Sequence, residues 1–119
     1  MTPDATPANV GSNDGLGRMR ECTWLDLAKT KAAADVLRER VRQVTVEGWT
    51  AAHDDEHDSG EMAQAAACYA LQSAMPGNQG DYLRFWPAQW DWRPKDKRRD
   101  LVRAAALLLA EIERLDRAA

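Results

Sequence analysis

The densest chemistry in the chain is the run His53-Asp54-Asp55-Glu56-His57-Asp58-Ser59-Gly60-Glu61. Wound as a helix at about 100° per residue, Asp54, His57, Asp58 and Glu61 share one face, because they are spaced by three and four. Three carboxylates on one face repel one another unless a cation sits among them. Oxygen-rich sets of this kind suit Mg²⁺ or Mn²⁺, ions that also hold a diphosphate and water. Asp54, Asp58 and Glu61 are therefore the candidate metal ligands, and Glu56 or His57 the candidates to orient an attacking water if the site is catalytic. The competing reading is a solvated helix start favoured by the helix dipole. A zinc-protease reading fails on two counts: Asp54 stands where such helices carry Glu, and the chain has only two histidines.

The second chemical group is aromatic and basic. Residues 76–93 contain Tyr82, Phe85, Trp86, Trp90 and Trp92, and Trp49 stands beside the acidic run. Arg84, Arg93 and Lys95 are interleaved with these rings, and Lys97, Arg98 and Arg99 follow. Indoles stack on a nucleobase while neighbouring cations hold its phosphates. Trp49, Tyr82, Arg84, Trp86, Trp90 and Trp92 are thus candidate ligand-binding residues, and so are Arg93, Lys97, Arg98 and Arg99. The plainer use of the same tryptophans is as bulk for an alanine-rich core. Charge is partitioned in the same way. Between positions 47 and 61 there are six acids and no base, whereas from 93 to 103 six bases face two acids.

Both groups need elements to hold them. A length of 119 residues makes room for one domain of marginal stability. Residues 1–19 are rich in Pro, Gly, Asn, Asp and Thr and read as a disordered arm without the features of a secretory signal. Residues 20–119 read as a single helical domain. Thr23 caps a first helix over 24–46, with Asp26 completing a capping box and Gly48 ending it. A second helix begins near Thr50 or His53, runs to Met75 and stops at Pro76-Gly77. A third starts at Pro94 and reaches Arg117, with Leu101, Ala105, Leu108, Ile112 and Leu115 as its apolar stripe. The fold expected is therefore all-α, with three main helices and a long Trp-rich loop between the last two. The stripe on the third helix is wide enough to suggest homo-oligomers. A net charge of -3 and a pI near 5.3 argue against a duplex nucleic acid partner. No apolar run is long enough to span a bilayer, so the expectation is a cytoplasmic protein. Cys22 and Cys68 read as ordinary small residues.

Gly48-Trp49 followed by Asp58-Ser59-Gly60-Glu61-Met62-Ala63 resembles the metal-binding helix of the MazG-like all-α nucleotide pyrophosphohydrolases. That resemblance covers roughly residues 35–117. It implies a helical hairpin arrangement, an oligomer, and nucleoside phosphates held through divalent ions. Asp58 and Glu61 match the first acidic pair of that family, and Asp100 matches one member of the second. Lys97 stands where the other acid is expected. A lysine there removes one of four carboxylates and brings a charge able to hold phosphate directly, which favours binding over turnover. The patterns around Gly48-Trp49-Thr50 and Arg98-Arg99-Asp100-Leu101 are also similar to small tailed-phage proteins, which implies an accessory role in an infected bacterial host.

Three functions follow as expectations. The first is a nucleotide-binding, anti-defence protein that sequesters a nucleotide-derived immune signal without turnover. The second is a Mg²⁺-dependent MazG-like pyrophosphohydrolase, with Asp54, Asp58, Glu61 and Asp100 holding the metal. The third is a protein-binding inhibitor of a host factor, for which aromatic anchors are the usual contact residues.

Overall fold

The computed structural model describes residues 21–119. Among them are five α-helices and no strand: α1 (Trp24–Ala28), α2 (Lys31–Thr45), α3 (Ala51–Asp55), α4 (Glu61–Ala74) and α5 (Lys97–Ala118). Two short 3-10 turns, Gln79–Asp81 and Leu83–Phe85, lie between α4 and α5. The all-helical expectation holds. No described helix is long and apolar enough to cross a membrane. The arm expected over 1–19 lies outside the described residues. The chain divides into two units, one ending at Ala34 and the other running Asp35–Ala119, and the chemistry argued below lies wholly in the second.

Local capping explains why three expected helices become five. Thr23 and Asp26 form the anticipated capping box at the start of α1. Seven residues later Thr30 Oγ1 accepts from the Ala33 amide at 3.1 Å, a second N-cap that opens α2 after a break at Lys29. Thr50 caps α3 by accepting from the His53 amide. The expected helix from Thr50 or His53 to Met75 is broken between α3 and α4, where Gly60 takes the left-handed φ of 88°. Residues 56–60, acids included, are thus not on a continuous helical face. α5 begins three residues later than the Pro94 start, because Asp96 accepts from the Arg99 amide at 2.9 Å and becomes its cap.

In the second unit the core is the contact between α4 and α5. Ala65 and Ala66 face Ala104 and Ala110, with Met62, Tyr69 and Leu107 filling between them. Small side chains let two helix axes approach closely. They also bury little apolar area, and Trp49, Trp86, Trp90 and Trp92 pack against this cluster and supply the missing bulk. The leucine stripe of α5 is only partly covered within the chain. Leu101, Leu108, Ile112 and Leu115 remain about half exposed, with Leu108 at 47% and Ile112 at 54%, because the alanine face rather than the leucine face meets α4. From Asp35 onward, α2 is tied on by charge. Arg98 reaches Asp35 at 2.8 Å, and Arg40 reaches Glu113 at 3.3 Å.

This packing makes Ala66→Leu destabilising by about 1–3 kcal/mol through overpacking, readable as a lowered denaturant midpoint with unchanged slope. Gly60→Ala should cost about 1 kcal/mol or somewhat more. Nothing stands within 4 Å of the added Cβ, so that cost is purely conformational. Equal midpoints for wild type and both variants would contradict this account of the core and the break.

Candidate functional site

In the second unit the packing leaves a cavity of about 550 Å³. Aromatic rings make much of its wall: Trp49 after α2, Tyr69 on α4, and Trp86 and Trp90 from the loop. These rings are held in place. Trp86 Nε1 donates to the Trp90 carbonyl at 2.8 Å. His57 meets Trp90 edge-on at 4.9 Å between centroids, His53 meets His57 in the same way at 4.9 Å, and Trp49 lies parallel to His53 at 6.3 Å. The two histidines thus extend the aromatic wall from Trp90 to Trp49.

Arg93, Lys95 and Arg103 contribute cations to the same cavity. Arg103 donates to the Arg93 carbonyl and to Tyr69 Oη, and its guanidinium lies 5.4 Å from the Tyr69 ring centroid. These contacts draw the start of α5 and the end of the loop together. Arg93 pairs with Asp91 at 2.7 Å, but both side chains are largely exposed, so the pair is weak and readily exchanged. Arg42 is committed. It forks onto both oxygens of Glu39 at 2.8 Å and reaches Glu47 at 2.7 Å. The hydrogen bonds that Arg42 donates to Glu39 and Glu47 push its pKa above the usual value. Burial alone would raise the Glu39 pKa, but the Arg42 hydrogen bonds and charge outweigh it and hold that carboxyl below the ordinary range.

Of the expected ligand-binding residues, Trp49, Trp86, Trp90 and Arg93 line the cavity. Trp92 and Tyr82 stand behind that wall. Trp92 stacks on Tyr69 at 5.0 Å, and buried Tyr82 donates to Gln72. Arg84 lies over Phe85 at the surface. Arg98 and Arg99 line a neighbouring groove with Asp35 and Arg38, where Arg98 pairs with Asp35, and Arg99 pairs with Asp96. Exposed Lys97 gives its carbonyl to Ser73 Oγ. Lys95, read from the sequence as a cation among the rings, lines the cavity too, and so do Arg103, Tyr69 and Gln43, which the sequence does not single out as site residues. Tyr69 and Arg103 are legible there only as members of helical faces. Gln43 is one polar position in an amphipathic helix, and a lone glutamine of that kind carries no signal.

The four expected metal ligands do not form one set. Asp54 is buried at the cavity and ion-paired to Arg40 at 3.6 Å. Asp58 is exposed. Glu61 accepts from the Ser59 amide at 2.7 Å and lies 3.6 Å from His57. Asp100 is buried and accepts from the Lys95 amide at 2.7 Å, which pins the end of the loop to α5. Among the described residues no three His, Cys, Asp or Glu side chains come together to hold a metal ion. The helix break at residues 56–60 is the physical reason, since it removes the shared face the spacing implied. Of the two candidates for orienting water, Glu56 is exposed at the end of α3, while His57 lines the cavity. No protein-family model, curated protein or solved structure matches the chain.

Burial raises the Asp54 pKa, and Arg40, His53 and Arg117 only partly oppose it. A carboxyl raised in the native state binds its proton more tightly there than in the unfolded chain. Its contribution to stability therefore grows as pH falls through the folded value toward the unfolded one, and is lost as pH rises. Asp54→Asn removes this term. In denaturant titrations between about pH 4 and pH 7, wild type should gain on the variant as the pH is lowered. A constant gap would show that burial does not govern this group.

Proposed function

We propose that the protein binds a nucleotide or nucleotide-derived signal in this cavity and holds it without turnover. The observation that carries the reading is the pairing of indole walls from Trp86 and Trp90 with the cations Arg93, Lys95 and Arg103 in a space of about 550 Å³. That volume falls within the range of small-molecule sites. A base stacks on the indoles, and its phosphates meet the guanidinium and ammonium groups. The carboxylates favour holding over hydrolysis. Asp100 is spent on the Lys95 amide and Glu61 on the Ser59 amide, so two of the three acids of the MazG-like pattern are engaged in shaping the chain. In the setting implied by the resemblance to tailed-phage proteins, the ligand is a host immune signal and the protein sequesters it.

The test is to incubate the purified protein with nucleoside mono- and triphosphates and cyclic dinucleotides, remove unbound material, denature by heat and chromatograph the supernatant. Unchanged ligand in near-stoichiometric amount is expected. Release of a monophosphate and pyrophosphate would favour the hydrolase reading and overturn this one. Trp90→Ala and Arg103→Ala should each weaken binding by about tenfold or more.

We propose further that copies of the chain associate. Leu37, Val41 and Val44 on α2, together with Leu101, Leu108, Ile112 and Leu115 on α5, stay exposed as helical rows. Sedimentation should show a species heavier than 13.3 kDa, and Leu108→Lys with Ile112→Lys should reduce it to that mass. A 13.3 kDa wild-type species at micromolar concentration would overturn the association.

A further inference from the structure

The groove of Arg98 and Arg99 adjoins the aromatic cavity. Its space is about 490 Å³, and Glu39, Arg42 and Arg103 line both. From those shared residues it runs between α2 and α5 toward the N-terminal end of each helix. Arg38 lies four residues before Arg42, and Arg99 four before Arg103, so each pair shares a face one turn apart. The charge along this path is one-sided, with five arginines in the lining against the carboxylates of Asp35 and Glu39. Asp35 serves two guanidiniums at once, Arg38 at 3.0 Å and Arg98 at 2.8 Å. Arg99 meets Asp96 at 3.3 Å, with both side chains largely exposed. The Arg38 side chain is 76% exposed and that of Arg99 72%. Ion pairs so open to water are weak and exchange readily.

Resting on the nucleotide reading above, we infer that the ligand is a nucleoside polyphosphate whose outer phosphates lie in this arginine groove. The base stays among the indoles, and the first phosphate meets Arg103 at the junction of the two spaces. Arg103 is fixed there by its hydrogen bonds to the Arg93 carbonyl and Tyr69 Oη. From Arg103 to Arg99 is one helical turn, about 5.4 Å along the axis. Consecutive phosphates of one chain therefore meet successive guanidiniums, first Arg103, then Arg99 with Arg38 and Arg98 across and beside it. A guanidinium binds phosphate oxygens at two points, a geometry that an ammonium does not offer. Each phosphate added to the chain then displaces a weak surface pair and gains a charged hydrogen-bond partner. A monophosphate ends at Arg103 and leaves the groove unused. Arg98 and Arg99, which stand outside the aromatic cavity, thus recover the ligand-binding part that their place after the tryptophans suggests.

The experiment titrates the chain, in the presence of a chelator, with the mono- and triphosphates of adenosine, guanosine, cytidine and uridine. Calorimetry and quenching of tryptophan emission report the affinities. For the base that binds, the triphosphate should bind about tenfold or more tightly than the monophosphate. Arg38→Gln with Arg99→Gln should narrow that ratio to about threefold or less. Three results overturn the polyphosphate assignment and leave the nucleotide reading intact: equal affinities for mono- and triphosphates, a ratio unchanged in the variant, or a triphosphate advantage that appears only when Mg²⁺ replaces the chelator. Absence of binding by every nucleotide overturns both. Should the double variant fail to fold, Arg99→Gln alone, at an exposed side chain, carries the same comparison.

Discussion

The close approach of α4 and α5 through alanine is the constraint from which the rest follows. Ala65, Ala66, Ala104 and Ala110 bury little area each, and a core made of them alone would leave the helix pair marginal. Tryptophans recruited from outside the pair offset that shortage. A rigid indole laid over a flat alanine face covers area well but does not interdigitate as leucine does. Where Trp86 and Trp90 bridge from the loop toward Trp49, space remains between them and the helices. The cavity is thus a by-product of how this core is built, and its aromatic walls are also structural members.

The polar groups at the cavity are sorted by how firmly they are held. Glu39 and Arg42 form a two-point pair that neutralises both, with Glu47 adding a third contact, so this part of the wall acts as scaffold. Lys95 has no carboxylate within ion-pair distance among the described residues, and Arg103 hydrogen-bonds to a carbonyl and a phenol while its charge also acts on Glu39. These are the charges with something left to give. Asp100 connects the two parts. By accepting from the Lys95 amide inside the protein it fixes where the loop ends, and so where the Lys95 and Arg93 side chains begin.

The parts of the fold legible in the sequence were those governed by local chemistry. Thr23 with Asp26 marked the start of α1, Gly48 the end of α2, and Pro76-Gly77 the end of α4, because a cap or a breaker acts on its own neighbours. The same logic was available at Thr30 and Gly60, but each was subsumed in a longer periodic run. Periodicity marked the leucine stripe of α5 but did not show that its alanine face is the one that meets α4. Leucines outrank alanines in any hydrophobic count, yet proximity to α4 was decided by side-chain size. For the site, Trp49, Trp86, Trp90 and Arg93 could be read from composition, since an aromatic-basic cluster in a loop must pack on something. Gln43, Tyr69 and Arg103 could not. Tyr69 and Arg103 meet across 34 positions of chain, and Gln43 matters only because other elements close a cavity over it.

The acidic run shows how a short break between two helices redirects chemistry. On an unbroken helix, Asp54, Asp58 and Glu61 would have projected together and required a cation. The break over residues 56–60, between the end of α3 at Asp55 and the left-handed Gly60, separates them, with Asp54 inside beside Arg40, Asp58 outside and Glu61 accepting from the Ser59 amide. Mutual repulsion that a metal would otherwise have had to relieve is relieved by geometry. Asp54 then carries a different cost, the loss of water, which burial registers as a raised pKa. Its surroundings already hold Arg40, and a further cation would have to compete with that guanidinium for the same oxygen.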